Sequence, residues 1–129
     1  MIVLDENLNV EQVALLRSWR IKFRRIGRDL GYLGIKDPDI IPLLHRHAPL
    51  TFFTLDQDFF HHDLCHARYC LVFLDVDEDA AASFIRRFLR HPAFKTQAKR
   101  LGNVVCVDQT KLRVWRLHAE DAVDLVWEI

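Results

Sequence analysis

Five aspartates stand where apolar and polar stretches of the chain meet, and carboxylates in such positions can hold a metal ion: Asp5, Asp37, Asp39, Asp56 and Asp58. The first follows the apolar run 2–4, and the last two follow the apolar run 50–55. The middle pair flanks Pro38, ahead of an apolar stretch with helical spacing. All five are therefore candidate ligands of one site.

Carboxylates gathered in one place repel one another, and without a cation some of them have raised pKa values. A hard divalent ion such as Mg²⁺ or Mn²⁺ removes this cost, because it prefers carboxylate and water oxygens as ligands. In phosphodiester hydrolysis such an ion generates hydroxide and stabilises the charge that develops on the phosphate. The acidic set therefore suggests metal-dependent hydrolysis.

Each aspartate also has an ordinary structural explanation. Asp37 before Pro38 is a good N-cap for a helix, with proline at the first helical position. An aspartate at the end of a strand is often a loop residue, and Asp56-Gln57-Asp58 can be a polar turn. Spacing alone leaves both interpretations open.

The surrounding pattern predicts the elements that would position these residues. Short apolar runs predict strands, and apolar residues at helical spacing between them predict helices. The predicted strands are 2–4, 21–26, 50–55, 70–74, 104–107 and 112–117, the last two joined by a hairpin turn at 108–111. The predicted helices are 10–19 capped by Asn9, one from Asp37 to Pro49, 80–89 with acids 77–79 at its first turn, and 93–101, and the tail from Ala119 is one more helix or strand.

Alternation of strands and helices over the first 75 residues is typical of a parallel sheet with helices on both faces. The predicted fold class is therefore α/β, mainly parallel, with an antiparallel hairpin at the C-terminal side. In such sheets ligands bind outside the carboxyl ends of the strands. Asp5 and Asp56 should share that edge, and Asp58, two residues on, should point to the same side.

Length and composition set limits on the interpretation. The 129 residues, half of them hydrophobic, fit a single domain spanning 1–129. The net charge of zero means that any nucleic-acid binding must come from local patches. No run approaches the ~20 apolar residues of a membrane span, and the N-terminus turns acidic at once, unlike a signal peptide. We therefore expect a cytoplasmic protein.

Two segments concentrate basic residues without any acid, 17–28 and 86–100. They are either solvated faces or a basic rim that holds an RNA backbone. Within the first segment, Arg24, Arg25 and Arg28 lead toward the loop before Asp37. These three arginines are the candidate nucleic-acid contacts.

The segment 59–66 is rich in histidine and includes one of the three cysteines. His61, His62, His66 and Cys65, with Asp63, could form a transition-metal site. Their spacing matches no strong zinc pattern, so a surface loop beside the acidic site is the competing interpretation. The odd number of cysteines, with no C-x-x-C spacing, argues against a disulfide framework.

Three motifs, in this order, carry a resemblance to a known family: residues 4–8 (Leu-Asp-Glu-Asn-Leu), residues 28–31 with 34–40, and residues 54–59 (Thr-Leu-Asp-Gln-Asp-Phe). Over residues 1–60 the chain resembles the compact PIN-like proteins, which are often encoded beside a small antitoxin-like partner. The remainder is similar only in its layout of strand, helix and hairpin. The resemblance implies a three-layer PIN-like fold.

It also implies a metal-dependent ribonuclease with a quartet of acids. Position by position, Asp5 matches the first acid, Asp56 the acid after the third strand and Asp58 its neighbour. The helix acid falls on Asp37 or Asp39, of which Asp37 is favoured, and Glu6 is an additional outer ligand. Asp5, Asp37, Asp56 and Asp58 are then the candidate catalytic residues, with Mg²⁺ or Mn²⁺ as the cofactor.

The partners implied are an RNA substrate and a small antitoxin protein, and a homodimer stays open. The chain departs from the pattern at Leu55, where similar sequences often carry a basic residue. That departure and the histidine-rich loop motivate the alternative of a catalytically inactive interaction module on the same fold. A receiver-like phosphoacceptor is a third hypothesis, which the lack of a lysine at a convincing late strand end disfavours.

Overall fold

A computed structural model describes residues 1–127, and its centre is a seven-stranded sheet. The strands are β1 Ile2–Leu4, β2 Arg24–Arg25, β3 Leu50–Thr54, β4 Tyr69–Leu74, β5 Asn103–Val107, β6 Lys111–Arg116 and β7 Val123–Val126. Their order across the sheet is β2-β1-β3-β4-β5-β6-β7. The first five strands run parallel to one another, and β6 and β7 add antiparallel pairings at one side.

Helices cover both faces of the sheet. They are α1 Val10–Ser18, α2 Asp37–His47, α3 Ala81–Arg90 and the short α4 Gln97–Arg100. Leu16 of α1 and Phe88 of α3 share one apolar cluster with the sheet, whereas Ile40 and Leu44 of α2 belong to a second cluster. The two clusters lie on opposite faces because neighbouring residues of one strand, such as Phe52 and Phe53, contribute to different clusters. The predicted α/β class, with helices on both faces, is confirmed.

The burial of strands β3 and β4 explains why the sequence pattern predicted this sheet. Every residue of β3 and β4 is buried. A parallel strand covered on both faces reads as an unbroken apolar run rather than an alternating one. The segments 50–54 and 69–74 have that character, which places the carboxyl ends of both strands at a defined edge.

The predicted strand 21–26 is wrong in its first half, since only Arg24 and Arg25 pair with β1. The backbone N–H of Ile21 donates to the carbonyl of Leu16 at 3.1 Å, and Arg20 has a positive φ of 62°. This geometry ends α1 by satisfying its last carbonyls. The chain therefore leaves the helix in a turn before it reaches the sheet.

Two helix boundaries also differ from the prediction. Lys36, not Asp37, is the N-cap of α2, so Asp37 is its first helical residue, and no side chain caps this end. Helix α4 is shorter than the predicted 93–101, because Thr96 caps it and the preceding turn is held by His91, whose Nδ1 accepts from the N–H of Ala93. Helix α3 begins after a 3₁₀ turn, Glu78–Ala80. The tail from Ala119 contains a strand, β7.

Among residues 1–127, no helix combines the length and the apolar character that crossing a membrane requires.

One buried polar side chain joins the two helices of the first face. Gln12 of α1 is 5% exposed. Its Nε2 donates to the carbonyl of Asp79 at 2.9 Å, and its Oε1 accepts from the N–H of Ala82 at 2.8 Å. Both partners are backbone groups at the start of α3, so this side chain caps α3 from outside.

Replacing Gln12 by Met keeps the side-chain size but leaves both backbone groups of α3 without a partner. Each unsatisfied buried group costs about 1–3 kcal/mol, so we expect the free energy of unfolding to fall by about 2–4 kcal/mol. Urea denaturation measures the change. The matched exposed substitution Gln109→Met should have little effect, and equal stability of the two variants would refute the capping role.

Candidate metal centre

Three carboxylates meet at the edge of the sheet where the parallel strands end. Asp56 and Asp58 follow β3, and Asp37 opens α2, which packs on the same side. One oxygen from each of the three lies within 4.8 Å of the others, and this is the one such group found among residues 1–127. We call Asp37, Asp56 and Asp58 the acidic group.

The hydroxyl of Thr54, the last residue of β3, ties this edge together. Thr54 is fully buried, and its Oγ1 donates to Oδ2 of Asp5 at 2.7 Å. The same oxygen accepts from the backbone N–H of Asp56 at 3.0 Å and from Nδ2 of Asn7 at 3.4 Å. One donor and two acceptor positions are all that a hydroxyl offers, so Thr54 is fully used.

Asp5 lies behind the acidic group rather than in it. It is 6% exposed, and its second oxygen accepts from the N–H of Glu6 at 2.8 Å. Burial raises the pKa of Asp5, the hydrogen bonds from Thr54 and Glu6 oppose that rise, and the charges of Asp37 and Asp56 add to it. Asp5 therefore fixes Thr54 and contributes negative potential to the site.

The turn after β3 sets the direction of the other two acids. Oδ1 of Asp56 accepts from the N–H of Asp58 at 2.9 Å, an arrangement that closes a 3₁₀ turn over Gln57–Phe59. Such a side-chain-to-backbone bond is the usual role of aspartate in a turn. The polar-turn interpretation and the cluster interpretation are thus both satisfied by the same residues.

The structure separates the two candidates for the helix acid. Both residues are exposed, but Asp37 belongs to the acidic group, whereas Oδ2 of Asp39 accepts from the hydroxyl of Tyr32 at 3.4 Å. The two residues lie on different sides of the first turn, since positions two apart in a helix do not face the same way. Asp37 is therefore the helix acid of this site.

No basic side chain of the described residues forms an ion pair with the acidic group. Within residues 1–127 the ion pairs join His61 to Asp63, and Lys111 and Arg113 to Asp124. Loss of solvent contact raises the pKa of Asp37, and its proximity to the carboxyl of Asp56 and the charges of Asp56 and Asp58 raise it further. The three carboxylates are thus stabilised when one of them is protonated or when a cation binds between them.

The donor set suits a hard divalent ion. Two oxygens on opposite sides of a Mg²⁺ ion are about 4.2 Å apart, given ligand distances of 2.0–2.1 Å. The oxygens of the acidic group lie within 4.8 Å of one another, a spacing compatible with one shared ion. Asp37 and Asp58 are exposed, which leaves room for the waters that Mg²⁺ retains.

Glu6 supports the site from outside. Its Oε1 accepts from the N–H of Gly34 at 3.1 Å, which holds the loop between β2 and α2 against the end of β1. Gly27 has a φ of +88°, and a Cβ atom there would lie 2.7 Å from Oε2 of Glu6. The positive φ favours glycine at this position, and the hydrogen bond to Gly34 makes Glu6 a loop anchor.

The three candidate arginines lie at the same edge of the molecule. Arg24 and Arg25 form β2, and Arg25 pairs with Leu4, the residue before Asp5. Arg28 follows in the loop that Glu6 anchors. The second basic segment is used differently: Arg86 stacks on Trp19 at 3.7 Å, and Arg100 is buried with Nε donating to Oγ1 of Thr51.

The histidine-rich segment does not gather into a comparable group among the described residues. His62 stacks on Trp115, with ring centroids 4.4 Å apart, and His66 stacks on Tyr69 at 5.0 Å. His61 Nδ1 accepts from the N–H of Asp63, and the thiol of Cys65 donates to the carbonyl of Trp115. These side chains pack the segment along the α2 face.

Two residues of the site, Thr54 and Asn7, lie inside the motifs 54–59 and 4–8, but the sequence indicated no role for either of them. Asn7 bridges the ends of two strands, since its Oδ1 also accepts from the N–H of Leu55 at 3.3 Å. In the sequence, Thr54 is a hydroxyl residue at the end of an apolar run, two residues before Asp56. Asn7 is an amide residue two positions after Asp5. Neither signal is specific without knowledge that β1 and β3 are neighbours.

Searches for similarity to protein families, to curated proteins and to solved structures give no match.

Asp37→Asn should raise the melting temperature of the metal-free protein at neutral pH. The folded-state pKa of Asp37 lies above its ordinary value of 3.8, so ionisation costs stability above that pH, and the cost disappears as both states become protonated below it. With saturating Mn²⁺ the order should reverse, because only the parent gains from binding. Thermal melts against pH, with and without Mn²⁺, measure both effects. Identical responses of parent and variant to Mn²⁺ would contradict the metal centre.

Thr54→Val should destabilise the protein, because it removes the hydroxyl that joins the ends of β1 and β3. It leaves a buried oxygen of Asp5 without its donor and the N–H of Asp56 without its acceptor. We expect a loss of about 2–4 kcal/mol in the free energy of unfolding, restored largely by Thr54→Ser. Denaturant titration checks the pair, and equal losses in both variants would show that the methyl group, not the hydroxyl, matters.

Proposed function

We propose that this protein is a Mg²⁺- or Mn²⁺-dependent PIN-like ribonuclease that cleaves RNA phosphodiester bonds and serves as the toxin of a toxin–antitoxin pair. The observation that carries the proposal is the acidic group: three carboxylates converge at the carboxyl edge of a parallel sheet with no basic partner among the described residues. Open α/β sheets bind ligands at that edge.

In this proposal Asp37 and Asp56 hold the metal ion, and Asp58 orients the attacking water or a second ion. A bound divalent ion supplies an activated hydroxide and stabilises charge on the phosphate. Asp5 and Thr54 are positioning residues, because they fix the backbone at Asp56 through hydrogen bonds. Asp58 is exposed, so solvent reaches this side of the acidic group.

Arg24, Arg25 and Arg28 are proposed to bind the RNA backbone. They lie on the edge strand β2 and the loop after it, next to β1 and Asp5. Phosphate contacts of this kind give sequence-independent affinity that falls as salt rises. A local basic patch of this sort suits a chain whose net charge is zero.

The PIN-like assignment rests on the order of the three sequence motifs and on where the fold puts them. Residues 4–8 and 54–59 stand at the ends of the adjacent strands β1 and β3, and residues 34–40 lead into α2. The antitoxin partner and the cytoplasmic location are further parts of the same proposal. The exposed apolar side chains of Tyr32 and Leu33, beside α2, are suitable contacts for a protein partner.

Single-residue variants test the proposed active site. Asp56→Asn and Asp37→Asn should each reduce cleavage of a fluorescent single-stranded RNA at least about a hundredfold, since each removes a ligand of the catalytic ion. Asp39→Asn is the matched control in the same helical turn and should cleave like the parent. Addition of EDTA should abolish cleavage, and Mn²⁺ should restore it.

Three results would count against the proposal. Undiminished cleavage by Asp56→Asn would remove the acidic group from catalysis. Loss of cleavage in Asp39→Asn but not Asp37→Asn would mean that the helix acid is misassigned. Mn²⁺ binding without cleavage of any RNA would favour the alternative, an inactive interaction module on the same fold.

A further inference from the structure

A cavity of about 310 Å³ opens beside the acidic group. Its floor is part of one row across the sheet, since Phe73, Cys106 and Arg113 are Cα partners on β4, β5 and β6. Thr54 occupies the same row on β3. Neighbouring strands are about 4.8 Å apart, so the floor begins one strand away from Thr54. The wall includes Gln57, which stands between Asp56 and Asp58.

The cavity lies on the α2 face of the sheet. Leu71 and Val104 pack in the α2 cluster, and Phe73 and Cys106 are two residues further along the same strands, so they share that face. Phe60 forms part of the wall and is half-buried. Burial raises the pKa of the Cys106 thiol to about 11, so this group is neutral at physiological pH. Phe73 and Cys106 therefore make one part of the floor aromatic and uncharged, whereas Arg113 at the other end of the row is charged.

The charged side chains at the rim differ in what they can still bind. Lys111 and Arg113 are both paired with Asp124 of β7, at 3.7 Å and 3.0 Å. Asp108 accepts hydrogen bonds from the turn 109–111 through Oδ1. The side chains of Asp75 and Gln57 form no hydrogen bond with any residue of the described range, 1–127.

These features select against an anion and for a neutral planar ligand. The two cations at the rim already have a carboxylate partner. Asp75 is exposed and follows β4, the strand beside β3, so it offers a carboxylate at the same edge of the sheet as Asp56. A phosphate would be repelled there. A flat ring with N–H donors on one edge would stack against the aromatic wall and donate to Asp75, as amino groups of bases do to carboxylates.

We propose that this cavity is a base-binding subsite that accepts a guanine base. Guanine presents two adjacent N–H donors, its ring imino group and its amino group, to a single carboxylate. The assignment of this base to the RNA strand cleaved at the acidic group rests on the proposed function. The ring stacks on Phe60, Asp75 accepts from its donor edge, and the attached phosphate lies toward Gln57, the cavity residue between Asp56 and Asp58.

Neutral nucleosides test the subsite without metal and without catalysis. Guanosine is titrated into the protein in EDTA and followed by NMR chemical shifts, with inosine, which lacks only the amino group, as the matched ligand. We expect guanosine to bind at least about fivefold more tightly than inosine. Asp75→Asn and Phe60→Ala should each lower the affinity for guanosine at least about fivefold. Glu78→Gln, an exposed charge-neutralising change outside the cavity, is the control and should bind like the parent.

The subsite is wrong if guanosine does not bind, if inosine binds equally well, or if Asp75→Asn and Phe60→Ala bind guanosine like the parent. Asp56→Asn separates this inference from the proposed function, because it should abolish RNA cleavage yet leave guanosine binding unchanged. If the parent protein cleaves RNA but does not bind guanosine, the subsite is wrong and the proposed function is unaffected. Guanosine binding that depends on Asp75, in a protein that cleaves no RNA, would overturn the ribonuclease and keep the base-binding cavity.

Discussion

The hydroxyl of Thr54 is the contact on which the geometry of the acidic edge depends. It connects the ends of two parallel strands, through Asp5 on β1 and the backbone of Asp56 after β3. A buried hydroxyl with all its hydrogen-bonding positions in use has one orientation. That orientation fixes Asp56, and the Asp56 carboxylate in turn closes the turn that presents Asp58. The position of two acids thus follows from one side chain of the sheet.

The consequence of this geometry is an electrostatic cost that the protein itself does not offset. Asp37 is brought toward Asp56 and Asp58 by the packing of α2, which is driven by apolar side chains such as Ile40 and Leu44. The pKa values of Asp5 and Asp37 are both raised, first by loss of solvent and then by neighbouring carboxylates. A fold that assembles like charges without a basic partner is stabilised by anything cationic that binds there.

The sequence predicted most of this architecture because its central strands are covered on both faces. The runs ending at Asp5 and Asp56 were recognisable, and the rule for parallel sheets placed both acids at one edge. The choice between Asp37 and Asp39 required the helix start, which the sequence placed one residue late, at Asp37 instead of Lys36. The roles of Thr54 and Asn7 could not be predicted, since they depend on which strands are neighbours. The prediction of a strand over 21–26 was wrong in its first half, because the turn that ends α1 occupies these residues despite their alternating pattern.

The proposed metal centre, in which Asp37, Asp56 and Asp58 hold one divalent cation, can be examined by anomalous X-ray scattering from a crystal grown with Mn²⁺. We expect an anomalous peak within about 2.0–2.3 Å of an oxygen from each of these three residues, with Asp5 still hydrogen-bonded to Thr54. The peak should vanish in crystals of Asp56→Asn grown under the same conditions. A fully occupied Mn²⁺ site elsewhere, with no peak at the acidic group, would contradict the account.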